Sequence, residues 1–268
     1  MTKKMTTDIK NYGLKLSESD ITPDQYTLGG GQLSSITLQP DRNWKPFLPK
    51  TELQYNTNLD TNACYIYGSL NTLEILLNRL YGSDHNYAER FIAFYVNHNF
   101  VGGNPHDALE KIRNEGNIPE ELLPFTSEIT KQDYLLPKMK VGLEVEGQKF
   151  LQKYTVKHDW LFLPRDTNKA EILWQALQYS PIGVSVLAWQ KDGEYYSKPV
   201  GATDSHWCVV VGGEYEKYWE VFDTYDETIK KLAWDYDFNF SKRILVSKTI
   251  LKRNWLLDLL NRLYIWRK

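Results

Sequence analysis

The sequence predicts an α+β fold, with helices gathered in the first half of the chain and strands in the second. Three observations carry this. Apolar residues recur at helical spacing through residues 64–80, with two further helical stretches before residue 117. From residue 182 onward, short runs rich in Val, Ile, Trp and Phe alternate with Gly- and Asp-containing turns. Strands joined by such short turns pair antiparallel, because a parallel pair needs a long crossover.

Residues 1–43 read as an arm, polar at first and broken by Gly29-Gly30-Gly31. Residues 36–56 hold three prolines and little periodicity, and read as surface-running chain. The first firm element is a helix from Cys64, with Ile66, Leu70, Leu73, Leu76, Leu77 and Leu80 on its apolar positions. Asp60 and Thr61 are its candidate caps, and Gly82 its stop. A second helix is expected over 87–99. A third is expected from Pro105 to Gly116, with proline at its start and glycine past its end. Residues 167–181 read as a helix stopped by Pro181. Strands follow at 182–189, 206–213, 218–224 and 240–247. The compact domain is expected to span 44–248. Residues 249–268 form an amphipathic helix on paper, with Leu256, Leu259, Leu260 and Leu263 on one face. Such a helix docks on its own domain, on an assembly partner or on a membrane surface.

Composition excludes several classes. The chain has 268 residues, 42% hydrophobic and 25% charged, as a globular protein does. A net charge of -2 gives no basic stripe for nucleic acid. No apolar run is long enough to span a bilayer. The N-terminus lacks the apolar core of a secretory signal. Two cysteines cannot build a disulfide framework, which suits a reducing compartment. None of the five histidines forms a metal-type pair with another, so no metal or cofactor is expected.

Cys64 stands where a helix N-terminus would lower its pKa and offer an oxyanion donor. By spacing alone, a lone cysteine before a helix reads as a small core residue. Cys208 reads as core as well. His85 and His98 sit in polar surroundings and read as exposed, His106 lies in a first helical turn, and Asp159 solvates His158. His206 differs, because it opens a strand and Asp223 lies on the next one. Neighbouring antiparallel strands can bring those two side chains together.

The order Cys64, His206, Asp223 resembles the papain-like cysteine peptidases, and further landmarks fall in sequence. Gly102, Gly103 and Pro105 match a Gly-Gly element with its following proline. Leu123-Pro124-Phe125 matches a Tyr-Pro-Tyr-like stop, and HWCVVVGG a His-headed strand. The resemblance covers roughly residues 44–246. The wording of WEVFDTYDETIKKLAWDY further resembles divergent bacteriophage-encoded members, which adds a phage particle to the expected locations. The resemblance implies a two-lobed fold with a cleft between a helical and a β lobe. It implies peptide-bond hydrolysis by Cys64, with His206 as base and Asp223 in place of the family's asparagine. It also implies that Gly102 and Gly103 pair with substrate, and that Ser205 lines a side-chain pocket. The family's oxyanion glutamine, six residues before its cysteine, is Asn58 here. Gln54 is favoured for that role, since the longer amide reaches further. The Trp after the family's asparagine motif is absent, with Thr224 and Tyr225 in its place. The 63 residues before Cys64 leave no room for a long inhibitory pro-segment. Two other readings stand beside the peptidase: a papain-like scaffold retired to a structural or binding role in a virion, and another Cys-His acyl-transfer enzyme such as a peptidoglycan amidase.

Overall fold

The computed structural model describes residues 11–21, 37–50, 52–82, 84–135 and 142–249. The predicted C-terminal helix lies outside these residues. Six helices are described: α1 (Cys64–Tyr81), α2 (Glu89–Tyr95), α3 (Pro105–Glu115), α4 (Lys131–Tyr134), α5 (Leu143–Lys153) and α6 (Lys169–Ala176). Eight strands, β1 (Tyr154–Phe162), β2 (Ile182–Val186), β3 (Lys191–Asp192), β4 (Tyr195–Tyr196), β5 (His206–Glu214), β6 (Tyr218–Phe222), β7 (Lys230–Ala233) and β8 (Ser241–Lys248), form one sheet. Their order is β1-β8-β2-β5-β6-β7-β4-β3. Every pairing is antiparallel except the single β4–β7 contact. The fold is α+β, as expected.

The helix at Cys64 ends at Gly82, whose φ of 67° is the left-handed conformation that glycine adopts without strain. α3 begins on Pro105, capped by the Asn104 side chain accepting from the His106 N–H. The helix expected over 87–99 is shorter, because Asn97 turns the chain at φ 52° and His98 is tied elsewhere. α5 and β1 went unread. The sequence KFLQKYTVKHDW passes from helix to strand without a turn residue, so neither period stands out.

The proline-rich lead-in runs along the surface but is pinned inward at a few residues. Trp44 is fully buried, and its Nε1 donates to the Leu177 carbonyl at 2.6 Å. The prolines made this stretch look like a loop, yet its aromatic and amide side chains anchor it inward. Gln54 is also fully buried.

α1 is buried on nearly all sides, since it packs against α2 and α3 as well as against β2, β5 and β8. Its approach to the sheet is set by Trp207 on β5. A Cβ on Gly68 of α1 would lie 2.8 Å from Cδ1 of that indole, and one on Gly183 of β2 would lie 2.7 Å from its Cζ2. Only residues without a side chain leave room for the ring on both flanks. We expect Gly183→Ala to destabilise the protein by about 1–3 kcal/mol through overpacking. Urea unfolding of the variant against the wild type measures this, and an unchanged midpoint would contradict the wedge.

Candidate active site

Cys64 is the first residue of α1 and is fully buried. The expected caps are engaged elsewhere. Thr61 Oγ1 donates to the Gln54 carbonyl at 2.7 Å, and Asp60 accepts from the Tyr225 hydroxyl at 2.8 Å. The helix end was expected to acidify the thiol. Burial instead pushes its pKa up, against hydrogen bonds from the Trp207 and Tyr65 backbone that pull it down, while the Asp223 charge adds to the rise. Removing the sulfur from water outweighs a single helix end.

β5 and β6 are joined by a tight turn and pair with a register shift between Val210 and Gly212. His206 opens β5, and Asp223 directly follows β6. They meet as the hairpin predicts, with His206 Nε2 2.6 Å from Asp223 Oδ1. Both are fully buried. His206 Nδ1, the other ring nitrogen, is buried and has no hydrogen-bond partner, the Cys64 thiol included. Burial alone would raise the Asp223 carboxyl. His206 and Lys230 overcome that and hold it well below the usual carboxylate range. Lys230 Nζ lies 2.9 Å from Asp223 Oδ2. The Trp189 indole N–H donates to the same oxygen at 2.9 Å.

Trp189 supplies a tryptophan beside the pair, although Thr224 and Tyr225 are the residues that follow Asp223. It comes from the loop after β2 rather than from the Asp223 strand, and its ring stands edge-on to His206 at 5.9 Å. Tyr225 and Tyr12 flank the imidazole at 5.6 and 5.3 Å. The His–Asp pair is therefore shielded by aromatic rings from three segments. Sequence reasoning missed Trp189 and Lys230. A signal for Trp189 existed: Val186 pairs with His206 in register, so the end of the strand-like run LAW falls near the imidazole.

Gln54 and Asn58 separate cleanly. Asn58 is exposed, and its amide donates to the Ser127 carbonyl at 3.2 Å. Gln54 Oε1 accepts from Thr224 Oγ1 at 2.7 Å, which fixes the amide. Its Nε2 then donates to the Tyr225 hydroxyl at 3.0 Å and to the Tyr12 carbonyl at 3.3 Å.

That carbonyl belongs to the chain's own N-terminal arm. The Tyr12 N–H donates to the Ser205 carbonyl at 2.8 Å, the Gly103 N–H to the Gly13 carbonyl at 2.9 Å, and the Lys15 N–H to the Gly103 carbonyl at 2.9 Å. Leu14 and Gly103 form a parallel bridge. A Cβ on Gly102, whose φ is 89°, would meet the Gly13 carbonyl oxygen at 2.4 Å, so glycine is needed for this close approach. Leu14 is buried in a cluster with Cys64, Trp160, Trp207 and Phe240. Ser205 takes part through its carbonyl rather than through the expected pocket-lining side chain, whose Oγ accepts from the Ala188 N–H at 3.3 Å.

The remaining histidines serve structure. His85 and His98 are buried, contrary to expectation. His98 bridges the Tyr65 hydroxyl and the Thr61 carbonyl at 3.0 and 2.8 Å. His85 meets Asn78 at 3.1 Å and Tyr154 at 3.2 Å. Their ring partners come from distant segments rather than from their polar neighbours in sequence, which is why burial was not legible locally. His158 faces Glu110 at 3.0 Å, while Asp159 pairs with Arg243 at 3.1 Å instead. Cys208 is fully buried in the main core, as read.

Neither a family model nor a curated protein sequence matches the chain. Solved structures do. Digestive procathepsin L 3 of Tenebrio molitor superposes with a TM-score of 0.57 at 14% identity, covering 79% of this chain and 71% of that one. Bromelain from Ananas comosus gives 0.54 at 16%, covering 75% and 96%. A structure from work on the mite allergens Blo t 1 and Der p 1 gives 0.60 at 10%, covering 87% and 79%. The fold is papain-like.

Asp223 makes a prediction of its own. A carboxyl held below its unfolded pKa contributes stability that is present above about pH 4 and lost as pH falls toward the folded value. Asp223→Asn should cost about 3 kcal/mol at neutral pH, as breaking a buried ion pair does. Urea unfolding across pH should show the gap between variant and wild type narrowing in acid. A gap independent of pH would contradict the depressed carboxyl.

Proposed function

We propose that the protein is a papain-like cysteine endopeptidase acting on proteins or peptides. One observation carries the reading most: Asp223 engages His206 through Nε2 and leaves Nδ1 unspent, on a strand packed against the helix that Cys64 begins. That is the arrangement a base needs if it is to be oriented from one side and accept a proton on the other.

In this reading His206 Nδ1 takes the Cys64 proton, and the thiolate adds to the substrate carbonyl carbon. The oxyanion accepts hydrogen bonds from the Cys64 backbone N–H and Gln54 Nε2. The imidazolium returns its proton to the leaving amine as the C–N bond breaks. It then deprotonates the water that cleaves the thioester and regenerates the thiol. Asp223 orients the imidazole and stabilises its charge, with Trp189 and Lys230 holding the carboxylate. Gly103 and the Ser205 carbonyl supply backbone pairing, and the aromatic cluster around Leu14 suits an apolar substrate side chain. The contact of Gln54 Nε2 with a peptide carbonyl of the arm supports its oxyanion role.

The arm also supplies a restraint on activity. Residues 12–15 take up the pairing groups a substrate would use and keep Cys64 dry. The finer reading, a bacteriophage-encoded member, rests on the wording of residues 219–236 alone. A retired scaffold is favoured by one observation, the absence of a hydrogen bond between His206 and the thiol.

Labelling separates the two readings. An epoxide-type thiol reagent should modify Cys64 slowly in the intact chain. It should do so at least about tenfold faster in Leu14→Asp, whose charge cannot stay in the aromatic cluster, because an exposed thiol regains thiolate character. Peptide hydrolysis should rise in the same variant and vanish in Cys64→Ser. A folded Leu14→Asp protein with no adduct at Cys64 would favour the scaffold. Cleavage of muropeptides but not of denatured protein would favour an amidase.

A further inference from the structure

A second polar centre lies in the helical part of the molecule and shares no residue with the Cys64 site. Glu89 opens α2, Glu120 sits on the short turn Glu120–Leu122, and Glu52 lies on the segment before Gln54. Backbone pairing fixes their approach: the Ala88 N–H donates to Ile118 and the Glu120 N–H to Asn86, at 3.0 and 3.1 Å. One carboxylate oxygen from each glutamate lies within 4.8 Å of the others. They border a cavity of about 320 Å³ that Tyr55, Asn56 and Tyr67 also line.

The unusual member is Glu89. It is 1% exposed, yet neither carboxylate oxygen has a hydrogen-bond donor. Glu120 Oε2 and the buried Tyr67 hydroxyl are likewise without partners. Two further oxygens are committed: Glu52 Oε1 accepts from Asn86 at 2.6 Å, and Glu120 Oε1 from the Phe125 N–H at 2.6 Å. Glu74 stands behind them, accepting from the Tyr87 N–H at 2.7 Å. The nearby cation, Arg90, spends its guanidinium on the carbonyls of Tyr134, Pro124 and Asp133. Among the described residues, no Lys, Arg or His pairs with any of these four glutamates.

Buried carboxylates without a counter-charge are costly. A proton shared between Glu52 and Glu89 relieves that one pair but leaves Glu120 Oε2 unmet. A cation in the cavity meets all three carboxylates at once.

We propose that Glu52, Glu89 and Glu120 bind a divalent cation of calcium type. The donors are all hard oxygens, which select Ca²⁺ or Mg²⁺ over softer metals. Calcium ligands lie about 2.4 Å from the ion, and oxygens within 4.8 Å of one another are close enough for one such ion to touch all three. The donors come from three separate segments with no octahedral preference imposed, and the cavity leaves room for water. The lack of an imposed octahedron suits calcium better than magnesium. The ion would tie the segment leading into Gln54 to α2 and to the turn at Glu120, whether or not Cys64 is catalytic.

The test is calorimetric titration of the chelator-stripped full chain with CaCl₂, with thermal unfolding measured in parallel. One site should fill, and the melting temperature should rise with calcium. Glu89→Gln should weaken binding at least about tenfold, as loss of a carboxylate ligand does. Glu52→Gln, at a half-buried position, serves as the second variant should Glu89→Gln fold poorly. No heat and no melting shift up to about 10 mM calcium, beyond the range of weak oxygen sites, would overturn the proposal. So would tighter binding of Mg²⁺ than of Ca²⁺, or full binding retained in both variants.

Discussion

The structure depends on one packing constraint, the indole of Trp207 lodged between Gly68 and Gly183. The ring neighbours His206 in sequence and meets the first turns of α1, so it sets how closely the helix of Cys64 approaches the strand of His206. A side chain on either glycine would intrude within 3 Å of the indole. The helix would then have to back away from β5, taking the cysteine with it. The Trp207 backbone reaches the Cys64 thiol through the same approach. Packing here comes before chemistry, because the relation between the two candidate reactive groups is a consequence of where a hydrophobic ring fits.

A buried carboxylate is the second constraint, and the two acidic centres of the molecule meet it differently. Asp223 is surrounded by donors: His206, Trp189, Lys230 and the Thr224 N–H, which lies 2.6 Å from Oδ1. Its charge is held by protein groups and its pKa falls. Glu89 has no donor, and its pKa rises. The contrast follows from the partners, since both residues are equally deep. A carboxylate already satisfied can serve only to orient, whereas one left unsatisfied asks for a proton or a cation.

Much of this was legible in the sequence. Cys64 before an apolar helix and His206 with Asp223 on consecutive strands were readable, because hairpin pairing fixes which side chains meet. Of the two amides weighed, only the buried Gln54 reaches Tyr12 and Tyr225. Residues brought in by long-range packing were not legible. Trp189 arrives from another loop, and no local pattern says that its N–H meets Asp223. Lys230 follows Asp223 by seven residues, on a strand whose two consecutive lysines hid it. The thiol pKa was misjudged because the helix dipole is a local property, whereas desolvation by Leu14 and the aromatic cluster depends on a segment fifty residues upstream. The glutamate cluster was equally invisible, being assembled from positions 52, 89 and 120.

The arm contacts are of a size that permits release. Three backbone hydrogen bonds contribute about 1 kcal/mol each, and burial of the Leu14 side chain about 2 kcal/mol more. Ordering the four residues from Tyr12 to Lys15 costs about 1–2 kcal/mol apiece in backbone entropy. These opposing amounts are nearly equal, so the arm is held mainly because tethering keeps its local concentration high. Leu14 shares the burial of Cys64 with Trp160, Trp207 and Phe240 of the domain body. The segment that takes up the backbone groups of Gly103 and Ser205 therefore also contributes to burying the sulfur, so backbone pairing and thiol desolvation are coupled through Leu14.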